Sequence, residues 1–144
     1  ETANFCRPDD ERDLRSRHNL GYWLGRDYLG IGVGAVSTVA GERRRNRPSL
    51  ERYVAALAAG TRPPRELETI DEETHRRELL LLGLRLDEAL ATADLGDVVD
   101  RDALDRLCAH GLVDRSIDGR GEELRLTPRG RFLGGAVTAE LLAP

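Results

Sequence analysis

The sequence predicts an α+β fold, and three observations carry that prediction. Tyr28 to Val39 reads YLGIGVGAVSTV, a β-branched run punctuated by Gly30, Gly32 and Gly34. Several segments place apolar residues at helical spacing behind capping residues. Two strand-like runs, Leu112 to Ile117 and Glu123 to Leu126, flank Asp118-Gly119-Arg120-Gly121, the composition of a β-hairpin.

The elements follow in order. Residues 1–17 are polar and irregular, and their acidic cluster, Asp9-Asp10-Glu11 and Asp13, lacks the spacing and central glycine of a calcium loop. The Tyr28–Val39 run reads as a buried strand ending in a tight loop. A basic turn follows, Glu42-Arg43-Arg44-Arg45-Asn46-Arg47-Pro48. Ser49 caps a helix carrying Leu50, Tyr53, Val54 and Leu57, which stops at Gly60. Thr61-Arg62-Pro63-Pro64-Arg65 breaks structure, so a boundary is expected between residues 1–65 and 66–144.

In the second half, Thr69-Ile70-Asp71-Glu72 is a capping box. The helix after it sets Leu79, Leu82, Leu86 and Leu90 on one stripe, with Glu72–Arg76 and Glu73–Arg77 as i,i+4 pairs. A further helix is expected from Asp100 to His110, with Leu104, Leu107 and Cys108 inward and Gly111 as its stop. After the hairpin, Thr127-Pro128 starts a last helix to about Leu142. Helix, helix, hairpin, helix is a winged-helix order.

Composition bounds the function. The chain has 144 residues, a formal charge of −4 and 33% charged residues; all 22 basic residues are Arg. An acidic balance argues against sequence-independent nucleic-acid binding, which needs a basic surface. No apolar run exceeds the seven residues Tyr53 to Ala59, which excludes a transmembrane helix. Cys6 and Cys108 stand alone, without metal-ligand spacing, and lone thiols read as a cytoplasmic protein. Starting at Glu1 rather than Met, the chain reads as cut inside a longer reading frame.

His18-Asn19-Leu20-Gly21-Tyr22-Trp23 is an H-N-x-x-Y-W string, soon followed by Tyr28 to Gly32 and Gly34-Ala35. Further blocks run through Gly41, Arg43 and Asn46, then Tyr53, Glu78 to Arg85, Gly111-Leu112-Val113 and Leu126-Thr127-Pro128-Arg129-Gly130. This ordered set resembles the radical S-adenosylmethionine family of oxygen-independent coproporphyrinogen III oxidase-like proteins, and within it the HemW-type heme chaperones. The resemblance implies the C-terminal remnant of a partial (β/α) barrel followed by a mostly helical winged-helix-like domain. It places the CxxxCxxC motif, with its [4Fe–4S] cluster and S-adenosylmethionine, in a missing N-terminal part; this fragment alone is then no enzyme. One departure is Val36, where the family usually carries a histidine after Gly34-Ala35.

The resemblance implies cofactor contacts at His18, Asn19, Tyr22, Trp23, Arg43 and Asn46. His18 is the candidate heme ligand, because a neutral imidazole can donate a ring nitrogen to heme iron. Tyr22 and Trp23 can stack on a flat macrocycle. Arg43 suits a propionate, since a guanidinium offers two parallel hydrogen bonds to one carboxylate. The ordinary readings are a loop-ordering His-Asn turn over packed aromatics and a solvated basic turn. Gly30 to Ala35 fits G-x-G-x-x-A, but no helix begins at Ala35 and the dinucleotide context is missing. His75 reads as a core-boundary residue and His110 as a helix-end residue. The expected partners are a tetrapyrrole, the N-terminal barrel and a heme-receiving protein. The alternative is a winged-helix nucleic-acid-binding or protein-docking module, with the helix from Asp100 to His110 and Arg115, Arg120 and Arg125 of the hairpin as its surface.

Overall fold

Residues 6–7, 9–119 and 121–143 are described by the computed structural model; residues 1–5, Pro8, Arg120 and Pro144 lie outside that set. Two three-stranded antiparallel sheets and six α-helices alternate along the described chain. The chain divides into two units, Arg26–Glu72 and a second formed by Glu1–Gly25 with Glu73–Pro144.

The unit Arg26–Glu72 holds β1 (Val36–Val39), β2 (Glu42–Asn46), α2 (Leu50–Ala58) and β3 (Arg65–Thr69), with sheet order β1-β2-β3. The expected single strand over Tyr28–Val39 is corrected here. Only Val36–Val39 is strand, and Tyr28 bonds back to Thr38 through N–H···O contacts of 2.9 and 3.0 Å. The chain reverses because Gly32 and Gly34 take φ of +115° and +71°, a region side-chain-bearing residues avoid. Nor is Glu42–Asn46 a basic turn: it is the central strand, with Arg43 opposite Thr38 on one side and Glu68 on the other. The break at Thr61–Arg65 leads into β3, whose pairing with β2 ties residues 65–69 to this sheet.

The other unit begins with α1 (Arg17–Trp23), for which Ser16 is the cap. It continues with α3 (Glu72–Gly83), β4 (Leu90–Ala91), α4 (Arg101–Ala109), β5 (Val113–Asp118), β6 (Gly121–Leu126), α5 (Pro128–Phe132) and α6 (Gly134–Leu141). Its sheet order is β4-β6-β5, and Asp118 faces Gly121 across the hairpin as expected. Leu80, Leu84, Leu95, Leu104, Leu124 and Leu141 are among the residues forming the core. α4 follows its sequence signals closely. Asp100 accepts from the Ala103 amide at 2.9 Å, Leu104 and Leu107 are buried, and Gly111 follows at φ +66°.

Three details differ from expectation. α3 starts at Glu72, which puts the capping position at Asp71, while Thr69 ends β3. Because α3 stops at Gly83, its buried side is set by Leu80, and Leu86 and Leu90 lie beyond the helix; His75 is exposed. The last helix is two, since the chain breaks at Leu133 before Gly134-Gly135, residues that weaken helix continuity. Among the described residues no helix is long and apolar enough to cross a membrane.

Candidate functional site

The H-N-x-x-Y-W string is helical. Ser16 Oγ accepts from the Asn19 amide at 3.4 Å and starts α1. On a helix this spacing makes two i,i+4 pairs, His18 with Tyr22 and Asn19 with Trp23. The His18 and Tyr22 rings meet edge to face, centroids 4.9 Å apart and planes at 86°. Both rings are exposed, whereas Asn19 and Trp23 are half-buried. Neither His18 nitrogen bonds to another group among the described residues. An exposed imidazole whose nitrogens bond to no other described residue can donate a lone pair to a metal ion.

Arg43 and Asn46 belong to the other unit. Arg43 faces Glu68 at 3.5 Å, its register partner on β3. Arg44 pairs with Glu42, and Arg47 lies 3.9 Å from Glu66, so Arg43, Arg44 and Arg47 each have a carboxylate partner within this unit. Asn46 holds the glycine loop: its Nδ2 donates to Gly32 O and its amide to Ala35 O, both at 2.9 Å. The Gly32 amide donates to the Tyr53 hydroxyl at 3.2 Å, and the Gly30 amide to Ser37 Oγ at 3.0 Å. A Cβ at Gly30 would lie 2.1 Å from the Val36 carbonyl oxygen, so only glycine fits. Three blocks far apart in sequence (Gly30 to Ala35, Asn46, Tyr53) therefore build one ordered loop. The loop-holding roles of Tyr53 and Ser37 escaped the sequence reading; a lone hydroxyl on an otherwise apolar helix face was the available signal.

A second assembly joins Gly111-Leu112-Val113 to Leu126-Thr127-Pro128-Arg129-Gly130. The Thr127 hydroxyl donates to Gly111 O at 2.8 Å and accepts from the Gly130 amide at 2.9 Å. Gly130 passes under Leu112, whose carbonyl oxygen would lie 1.9 Å from any Cβ added there.

The two groups that the resemblance implies make different demands on the donor set. Heme needs one or two axial donors, and His18 would be the residue to supply one. A [4Fe–4S] cluster needs several thiolates. The chain has only Cys6 and Cys108, and no group of three or more potential metal ligands exists among the described residues. Its residues do not fit a cluster. Burial pushes the Cys108 thiol up, away from a ligating thiolate.

The nucleic-acid alternative finds little free charge. Arg101 pairs with Glu122, Arg106 with Glu140 at 3.3 Å, Arg115 with Asp105 at 2.7 Å and Arg125 with Asp114 at 3.4 Å. Arg120, also expected on that surface, lies outside the described residues.

No family model matches the chain. Its fold is similar to that of coproporphyrinogen III oxidase (HemN) from Escherichia coli, described as a radical SAM enzyme. The TM-score is 0.58 over 80% of this chain and 28% of that one, at 21% identity. The sequence is similar to proteins named heme chaperone HemW. It is 37% identical over 142 residues to that of Mycobacterium tuberculosis and 29% over 146 residues to that of Bacillus subtilis, each match covering 99% of this chain. The HemW proteins are thus homologous to this chain over nearly its whole length, and the likeness to HemN is one of fold. It spans about a third of the length of the curated relatives it matches, 34% and 37% respectively.

Proposed function

We propose that this chain is the C-terminal portion of a cytoplasmic heme chaperone, contributing to tetrapyrrole binding and to closing a partial barrel. The observation that carries this reading is the His18 imidazole, exposed on α1, braced by Tyr22 and bonded through neither nitrogen among the described residues. In this reading the glycine-loop sheet is the barrel's remnant. The helices and hairpin from α3 onward form the winged-helix-like domain. Tyr22 and Trp23 offer aromatic surface to a macrocycle, with Asn19 beside them on α1, and Asn46 orders the backbone of the glycine loop. Arg43 serves a propionate by exchanging its Glu68 partner. The cluster and S-adenosylmethionine belong to the preceding part of the longer protein, and the product of the whole is heme delivered to a receiving protein.

Hemin titration tests His18. Hemin added to the chain is expected to give a shifted Soret band, and His18→Ala to weaken binding by roughly tenfold or more, about 1.4 kcal/mol. An unchanged spectrum and affinity in the variant overturns His18 as the ligand.

A further inference from the structure

α2 is amphipathic, yet its apolar side faces solvent. Leu50, Val54 and Leu57, spaced i, i+4, i+7, are 68%, 53% and 54% exposed, and the helix has no buried residue. The glycine loop adds to this surface, because the Gly32–Tyr53 bond ties it to α2 while Ile31 stands 92% exposed. No described residue of 26–72 is buried. A helix of nine residues is marginal without an apolar face to pack. α4, equally long, buries Ala103, Leu104 and Leu107.

We propose that the Leu50–Val54–Leu57 face of α2, with Ile31 beside it, is the docking surface for the preceding part of the polypeptide, which the HemW-type relatives carry. This rests on the family reading above. The chain matches only 34% of the Mycobacterium tuberculosis relative, so most of that protein lies outside the matched region. A second copy of this chain is a poorer occupant. A stable dimer buries about 800 Å² per partner, far more than four aliphatic side chains supply. A covalently linked neighbour needs no such area, because its effective concentration is of millimolar order.

Amide exchange on the isolated chain and on a chimera tests this. In the chimera the chain replaces the C-terminal part of the Mycobacterium tuberculosis relative to which it aligns; no hemin is present, so the outcome is independent of His18. Amides of α2 are expected to exchange about 100-fold more slowly in the chimera than in the isolated chain. Val54→Glu with Leu57→Glu should abolish that slowing and leave α4 protected in both proteins. Unchanged α2 exchange in a chimera whose α4 is protected overturns the proposal. So does concentration-dependent protection of α2 in the isolated chain, which assigns the face to a second copy. Should α4 of the chimera be unprotected, the remainder of the relative is added as a separate chain. Absence of slowing there is equally adverse.

Discussion

Ala40 takes φ of +50° beside Gly41 at +76°, the two-residue loop between paired Val39 and Glu42. Asp27 steadies the turn, its carboxylate oxygens accepting from the Ala40 amide at 3.1 and 3.2 Å. The left-handed region costs a residue with a Cβ about 1–2 kcal/mol, and asparagine bears that cost best among such residues. Ala40→Asn is therefore expected to stabilise the β1–β2 hairpin by about 1 kcal/mol, read as roughly fivefold slower amide exchange in Glu42–Asn46. Faster exchange would mean that the turn, not its first residue, sets the hairpin's stability.

At the scale of elements, the junction of α5 and α6 shows what a glycine pair does. Gly135 is exposed, and a Cβ there would meet nothing within 4 Å. Replacing a helical glycine by alanine gains up to about 1 kcal/mol where space allows. Gly135→Ala should raise the urea midpoint with an unchanged slope; a lower midpoint would show that the residue needs glycine's freedom. The helices legible in the sequence were those with a capping side chain beside the apolar pattern: Ser49, Asp100 and Thr127 each accept a hydrogen bond from an amide three residues on. β2 was illegible because a central strand reading Glu-Arg-Arg-Arg-Asn shows no apolar alternation. Arg43 of this strand is met by Glu68 on β3, 25 residues away, and only the folded register reveals that. The site was legible as a string but not as geometry. The string shows no helical apolar stripe, and the Ser16 cap that starts α1 lies just outside it.

At the scale of the molecule, one unit carries the core and an ionic brace lies against it. Glu122 of β6, its side chain 19% exposed, pairs with Arg101 of α4. Arg115 of β5 lies 2.7 Å from Asp105 and 3.9 Å from Glu122, so four side chains tie α4 to the hairpin. The Arg101 hydrogen bond, opposed by burial, holds the Glu122 carboxyl below its ordinary value of 4.5. A carboxylate whose folded pKa is depressed stabilises the fold above its unfolded pKa, and that contribution disappears as pH falls through the folded value. The chain should thus lose stability on acidification from about pH 5 to pH 3. Asp13, held at about 2 by the hydrogen bonds that Arg15 donates to it, acts in the same sense at lower pH. Glu122→Gln should destabilise the protein at pH 7, by leaving Arg101 without its carboxylate, and should flatten the decline between pH 5 and pH 3. Urea midpoints of both proteins at pH 7, 5, 4 and 3 read this directly. A difference between them that stays constant with pH would remove Glu122 from the acid response and leave the brace a matter of packing alone.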